Sequence, residues 1–332
     1  MLERYHLPKQ PPRAKNFDGA PRRVGVELEF AALSARDVAN EIHKTFGGTI
    51  IEIGRHRFVI QGSGLGDFKT ELDTRYAHKP DNEKPPGDDP IAASFQSIAD
   101  ALREIYGDIS SLIVPCEIVA PPIEIADIAQ LDRFVTQLIS AGALGTNSSA
   151  FYAFGTHLNP DIATRDPNWI LAVLKAEILL SSWLRDVMAI NLTRWFAAFA
   201  DPFPRAYIYK VLDTSYWPET AQLIGDYLEL NPTRDRELDM LPLFAWLEPS
   251  VVKSALPDAK ISARPTFHFR LPNANLGVPG WSVGLEWNRW CVIERLAEDR
   301  ELLDAMCVAY LENDRRVLPE RWALRASEWL IV

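Results

Sequence analysis

The stretch Arg23-Val24-Gly25-Val26-Glu27-Leu28-Glu29-Phe30 decides the fold, because it alternates apolar and polar residues along its length. Residues i and i+2 of a β-strand lie on the same face. The apolar side chains from Val24 to Phe30 therefore point one way, while Glu27 and Glu29 lie side by side on the opposite face. Two carboxylates at that distance repel unless a cation lies between them. This strand therefore predicts a divalent metal site.

Four further segments repeat the alternation and bring more polar groups to the same kind of face. These groups are Asp67, Lys69, Glu71 and Asp73 in 67–73, Glu117 in 115–119, His157 and Asn159 in 154–159, and His268 and Arg270 in 266–271. If the strands form one antiparallel sheet with its apolar face on helices, the other face collects oxygen ligands and a few cations. That composition is typical of a magnesium–nucleotide site. The fold class predicted is α+β, with a mainly antiparallel sheet.

Periodicity and turn residues give the remaining organisation. Short strands are predicted at 49–53 and 57–61, and a strand at 265–271. Residues 75–90, rich in Pro, Asp and Lys, are predicted to form a loop. We expect an irregular N-terminal arm over 1–20 and one catalytic domain over 21–332 with a helical insertion at about 161–260. Helices are predicted near 35–46, 92–106, 126–141, 169–200, 219–229, 234–247 and 284–314.

Bulk composition narrows the function classes. The chain has 332 residues, a hydrophobic content of 47% and a net charge of −10, with no basic run. This argues against nucleic-acid and anionic-membrane binding, but not against ATP, whose charge is neutralised locally. The apolar stretch 170–200 is interrupted by charges, so no membrane span is expected. Three scattered cysteines and an N-terminus without an apolar core predict a cytoplasmic protein.

Five segments, in this order, resemble the amidoligase family of the carboxylate–amine ligase group, which includes glutamine synthetase and glutamate–cysteine ligase. The resemblance spans roughly residues 23 to 275. It implies a glutamine synthetase-like fold and an ATP-dependent enzyme that joins a carboxylate to an amine. The segments are Gly25-Val26-Glu27-Leu28-Glu29-Phe30, Phe68-Lys69-Thr70-Glu71-Leu72-Asp73, Glu117-Ile118-Val119-Ala120-Pro121-Pro122, Gly155-Thr156-His157-Leu158-Asn159-Pro160 and Phe269-Arg270-Leu271-Pro272-Asn273.

The resemblance also implies roles for single residues. Glu27 and Glu29 match the paired metal-ligand glutamates, and Glu117 matches a further acid at the metal. His157 matches a metal ligand or phosphate contact, and Arg270 matches an arginine that reaches phosphate. The chain departs from the family pattern at Ala120, where serine is common, and after His157, where no second histidine follows. The third-strand acid is left open between Glu71 and Asp73.

The chemistry expected of such a site is transfer of the ATP γ-phosphoryl group to a carboxylate, followed by attack of an amine on the acyl phosphate. Mg²⁺, with Mn²⁺ as an alternative, is expected at Glu27, Glu29, Glu71, Glu117 and His157, because hard cations prefer oxygen ligands. Glu29 and Arg270 are the expected catalytic residues, with Asp73 as candidate base for the amine. Lys69, His157 and Arg270 are the expected nucleotide contacts.

Other interpretations compete with this one. Alternate glutamates on a strand are usually a solvated face, and a single histidine is usually structural. His268 is left open between the site and packing at the sheet edge. The same fold would also suit a phosphotransferase acting on a small molecule or a guanidino group, and a catalytically degenerate binding protein is a third reading. Expected partners are small-molecule or peptide carboxylates and amines, and a homo-oligomer is left open.

Overall fold

The computed structural model describes residues 7–72, 115–148, 154–190, 200–257 and 259–330. The predicted loop 75–90, the predicted helix 92–106 and the candidate base Asp73 lie outside these described residues. The order of elements that follows therefore applies to the described ranges.

The strands form one seven-stranded sheet. Every pairing between its named strands is antiparallel. Together with the helices that pack on the sheet, this confirms the α+β class and the mainly antiparallel sheet, while the glutamine synthetase-like fold stays a prediction. The strands are β1 (Arg23–Phe30), β2 (Thr49–Gly54), β3 (Arg57–Ser63), β4 (Gly66–Leu72), β5 (Cys116–Val119), β6 (Ile123–Glu124) and β7 (Thr156–Pro160).

Strand β1 lies inside the sheet with partners on both edges. Val24 pairs with Ile123 of β6 and also with Pro160 of β7, so these two strands lie on opposite edges of β1. Glu27 likewise pairs with β5 on one side and with His157 of β7 on the other. Strands β2, β3 and β4 continue the sheet beyond β5. The stretch that decides the fold is therefore the strand that joins the two halves of the sheet.

Helices cover the apolar face of β1. The side chains of Val24, Val26, Leu28 and Phe30 are at most 1% exposed, and each such burial contributes about 2 kcal/mol of hydrophobic stabilisation. Phe46 stacks on Phe68 of β4 and meets Phe134 at a tilted angle, which joins two helices and β4 in this core. The helix-facing side matches the side predicted from the sequence.

The first helix, α1, has clear sequence boundaries. It spans Ala35–Phe46 and begins after Ser34, whose hydroxyl accepts from the backbone N–H of Asp37 in a capping box. The helix ends at Gly47, whose positive φ of 75° suits glycine. The remaining helices are α2 (Ile128–Ser140), α3 (Pro167–Val187), α4 (Arg205–Val211), α5 (Thr220–Leu230), α6 (Leu241–Leu247), α7 (Pro249–Ala255), α8 (Val283–Glu298), α9 (Arg300–Asp314) and α10 (Trp322–Trp329).

The structure corrects the predicted helix 234–247, which begins only at Leu241. The preceding residues extend along the sheet edge instead. Leu238 forms a bridge with Phe269, and the backbone N–H of Asp239 donates to the carbonyl of His268. The carboxylate of Asp239 then accepts from the N–H of Leu241 at 3.0 Å, and Pro242 follows in the first turn. Edge pairing, the hydrogen bond from Leu241 to Asp239 and Pro242 in the first turn thus override helical spacing.

The predicted strand 265–271 runs beside β7 but pairs through isolated bridges. Leu158 and Phe269 exchange both backbone hydrogen bonds, at 3.0 and 2.8 Å. Pro160, Pro265 and Pro272 interrupt a longer ladder because proline lacks the N–H donor. Around Leu158 and Phe269, the segment nevertheless extends the sheet beyond β7.

Residues 7–20 contain no helix, and contacts of Lys9 and of Arg22, which follows them, attach this stretch to helix α8. The indole of Trp287 donates to the carbonyl of Lys9, whose own N–H donates to Asn288. Arg22 forms a buried double ion pair with Glu294, with both N–O distances at 2.6 Å. Among the described residues, no helix has the length and apolarity that a bilayer crossing requires. The division into arm, domain and insertion stays a prediction.

Candidate functional site

The sheet face opposite the helices carries three carboxylates in adjacent register. Glu29 of β1 lies directly across from Glu117 of β5, and Glu117 lies directly across from Glu71 of β4. Directly paired residues in antiparallel strands share a face, with Cβ atoms about 5 Å apart. We refer to Glu29, Glu117 and Glu71 as the acidic row. Such a row of like charges is unfavourable without a cation nearby.

Different groups hold the two ends of the acidic row. The Glu71 carboxylate accepts from Nε of Arg57 at 2.8 Å, and both side chains are partly exposed. Glu29 is only 5% exposed, and its Oε2 accepts from the backbone N–H of Gly155 at 2.8 Å. Glu29 is therefore fixed in orientation at the buried end, whereas Glu71 lies at the open end.

A second cluster lies where β1 meets β7. Oε2 of Glu27 is 3.1 Å from Nδ1 of His157, and Oε1 accepts from Nδ2 of Asn159 at 3.0 Å. The Arg264 guanidinium is 3.7 Å from the same Oε1 atom. Burial opposes ionisation of Glu27, but the hydrogen bond with His157 and the nearby charge of Arg264 hold the pKa of this carboxyl well below its usual range. Glu27 is therefore ionised at neutral pH.

His268 completes this cluster from the segment beside β7. Its Nδ1 is 2.7 Å from Oδ1 of Asn159, and its ring meets the His157 ring edge-on, with centroids 5.3 Å apart. Burial is the largest influence on the His268 pKa and lowers it well below the usual value, against the pull of the Glu27 carboxylate. The ligand atoms of Glu27, His157 and His268 all lie within 4.8 Å of one another.

Arg270 lies beside this cluster in a different environment. It is 5% exposed, donates through Nη1 to the carbonyl of Arg234, and is 3.9 Å from the Asp235 carboxylate. Burial raises the pKa of the nearby Asp239, and the charges of Arg234 and Arg270 oppose this shift only in part. Arg270 thus stays beside the cluster, held by backbone and carboxylate groups.

The remaining predicted residues lie further out. Lys69 is exposed and pairs across from Val119, which itself pairs across from Glu27. The structure therefore brings Glu27 to His157 and aligns Glu29, Glu117 and Glu71. Asp73 lies outside the described residues, so the choice between Glu71 and Asp73 is not tested.

Asn159 and Arg264 were not assigned to the site from the sequence, and His268 was left open between the site and packing at the sheet edge. His268 and Asn159 carried a signal, since both were on predicted polar faces, but nothing in their spacing joined them to Glu27. Arg264 carried none, because it precedes Pro265 in a stretch without periodicity. The pairing of β1 with β7 brings Asn159 to Glu27, and the bridges between β7 and residues 265–271 bring His268 and Arg264 to the same place.

The fold and the site define a class: an α+β protein whose antiparallel sheet carries carboxylates and histidines on the face opposite its helices. A family model described as "Putative amidoligase enzyme" matches residues 20–292 of the chain. The chain belongs to this family, which makes it a ligase-type enzyme. No curated protein and no solved structure matches the chain.

Proposed function

We propose that the protein is an ATP- and magnesium-dependent carboxylate–amine ligase that works through an acyl phosphate. The observation that supports this most directly is the acidic row beside the Glu27–His157 pair, in a chain that belongs to an amidoligase family. Carboxylate oxygens in adjacent register fit a hard divalent cation, which prefers oxygen ligands. The buried Glu29, already oriented by Gly155, fits the role of an ordered ligand.

The proposed reaction has two balanced steps. A carboxylate oxygen of the substrate attacks the γ-phosphorus of ATP, the bond to the bridging oxygen breaks, and ADP leaves. An amine then attacks the acyl carbon, inorganic phosphate leaves with the electron pair of the broken bond, and the amine loses a proton. Positioning and charge neutralisation supply most of the rate enhancement in such transfers.

The chain's own groups divide this work in the proposal. Magnesium, with manganese as an alternative, neutralises phosphate charge when bound. The residues proposed to hold the cation are Glu27, Glu29, Glu71, Glu117 and His157. Arg270 and Lys69 contact phosphate oxygens, for which a guanidinium fork and an ammonium group are suited. Asp73 accepts the proton of the amine.

The substrates proposed are a small-molecule or peptide carboxylate and an amine, in the cytoplasm. Hydroxylamine serves as a general amine probe, because it converts an acyl phosphate into a hydroxamate that gives a coloured ferric complex. Purified protein is incubated with magnesium-ATP, hydroxylamine and each common amino acid in turn as the carboxylate. We expect ADP, inorganic phosphate and hydroxamate in equal amounts with the correct carboxylate.

Glu29→Gln is the diagnostic variant, since the amide oxygen can still accept from Gly155 while the charge is lost. We expect hydroxamate formation to fall on the order of 100-fold, as for other loss of metal-site support. Glu52→Gln is the matched control, because Glu52 pairs across from Phe58 on the helix-facing side of the sheet. Phosphate retained on an acceptor, without free phosphate, would indicate a phosphotransferase instead.

A further inference from the structure

A cavity of about 230 Å³ lies where α3, α9 and α10 meet the segment that leads into α4. Phe203 and Trp322 are among its apolar walls, and Ser181, Ser182, Arg185 and Glu237 form polar ones. No residue proposed above for catalysis or metal binding is among these described walls. A ligand of this cavity would therefore be additional to the substrates of the proposed function.

One ion pair satisfies part of the polar wall. Arg185 donates to Oε2 of Glu237 from Nε at 3.1 Å and from Nη2 at 2.7 Å. The two side chains are 11% and 1% exposed, so this pair is shielded from water. The hydroxyl of Ser182 is also buried, yet it has no hydrogen-bond partner among the described residues. The wall thus keeps an unused donor and acceptor.

Glu177 adds a second carboxyl to this region. It precedes Ser181 by one turn of α3 and Arg185 by two, which places it on the neighbouring strip of the helix surface. It is fully buried, and within the described part of the chain neither of its oxygens forms a hydrogen bond. Burial and the nearby charge of Glu237 raise its pKa well above the usual value, while the charge of Arg185 opposes this shift. Buried carboxyls normally have partners, and an unpartnered one lowers stability.

The charges of this region favour a cationic ligand. Glu177 and Glu237 share one guanidinium, so a second positive group would allow both carboxyls to ionise. A primary ammonium carries three donors and no acceptor, which suits two carboxylates and the Ser182 hydroxyl. An anion would be repelled by the carboxylates, and a neutral molecule would leave one of them without a countercharge.

The volume of the cavity limits the size of the ligand. An apolar cavity of roughly 150 Å³ binds benzene, so about 230 Å³ holds roughly six to nine heavy atoms. Phe203 and Trp322 offer apolar surface for a ring or a short chain of that size. A nucleotide is too large for this cavity and carries the wrong charge.

We propose that this cavity binds a small primary amine. Its ammonium group contacts Glu177, Glu237 and Ser182, and its apolar body packs against Phe203 and Trp322.

This amine site borders the proposed phosphate contact. The backbone N–H of Arg270 donates to the carbonyl of Glu237 at 2.8 Å. Occupancy of the cavity and the position of Arg270 are therefore linked through a single residue.

The test is calorimetric titration of the purified full chain without ATP. Benzylamine is the probe, because it combines an ammonium group with a ring of suitable size. Benzyl alcohol and benzoate have a similar body, with a neutral and a negative group respectively. We expect one equivalent of benzylamine to bind, at least about tenfold more tightly than benzyl alcohol, and no measurable binding of benzoate.

Two variants test the charge and the place separately. Glu177→Gln removes the charge and should weaken benzylamine binding at least about tenfold. It should not lower the melting temperature, because it breaks no hydrogen bond seen among the described residues. Ser182→Leu fills the cavity and should abolish binding, while melting curves verify that it folds. Glu229→Gln, on the exposed surface of α5, is the matched control and should bind benzylamine like the parent.

Glu29→Gln separates this site from the ligase site, because it should lose ligase turnover and keep benzylamine binding. Loss of benzylamine binding in Glu29→Gln would place the amine at the ligase site and overturn the proposal. Equal affinity for benzylamine and benzyl alcohol, no binding of benzylamine, or unchanged binding in Glu177→Gln or in folded Ser182→Leu would overturn it as well. Failure of the ligase assay with benzylamine binding intact would count against the proposed function alone.

Discussion

Acidification should destabilise the metal-free protein through His268. Burial keeps this histidine neutral in the folded state and lowers its pKa well below the usual value. The unfolded chain instead takes up a proton near the ordinary histidine pKa of about 6.5. Below that pH the unfolded state binds more protons than the folded state, so the free energy of unfolding falls as the pH falls. The loss ends only where the folded histidine itself becomes protonated.

The size of the effect follows from proton linkage. Between about pH 7 and about pH 5, a histidine that stays neutral in the folded state costs about 2 kcal/mol of unfolding free energy. For a chain of 332 residues, this corresponds to roughly 3 °C in melting temperature. Other groups titrate over the same range, so the informative quantity is the difference between the parent and His268→Gln.

The assay is thermal unfolding in EDTA at several pH values. His268→Gln should lose about 2 kcal/mol less than the parent protein across this range. His56→Gln, which removes a histidine from an exposed turn, is the control and should follow the parent. An identical pH dependence in the parent and in His268→Gln would refute the neutral, buried state assigned to this ring.

Two further predictions concern the framework that holds the site. Arg22→Met leaves Glu294 buried without its ion-pair partner, so we expect a loss of about 4 kcal/mol in urea unfolding. The double variant Arg22→Met/Glu294→Leu should recover most of this lost stability. Equal losses in the single and the double variant would contradict this account of the ion pair. Leu28→Ala removes a side chain that is 1% exposed and should cost about 3 kcal/mol by the same measurement. A loss below about 1 kcal/mol would indicate that Leu28 lies outside the core.

Local patterns predicted the sheet faces well, because strand alternation depends only on neighbouring residues. The apolar and polar sides of β1, and the bounds of α1, follow directly from the sequence. The boundary at Leu241 did not, since the pairing of residues 237–239 with 268–270 is a long-range effect. Helical spacing in that stretch was therefore misleading.

The candidate site likewise has a part that the sequence predicted and a part that depends on long-range strand pairing. Glu27, Glu29 and Glu117 were assigned from alternation and resemblance, and the strand register brings Glu29 and Glu117 opposite each other. The contact of Glu27 with His157, Asn159 and Arg264 depends on pairing between segments more than 100 residues apart in the chain. No local pattern carries that information. The family resemblance assigned Glu27 and His157 to the site, and the structure added Asn159 and Arg264.

Binding of magnesium-ATP to the purified protein tests the central claim most directly, because it requires no knowledge of the substrates. Calorimetric titration compares the parent with Glu29→Gln and with the opposite-face control Glu52→Gln. The account predicts saturable binding that requires the metal, is weakened at least about tenfold in Glu29→Gln, and is unchanged in the control. Equal affinity in all three proteins, or no binding at millimolar magnesium-ATP, would contradict it.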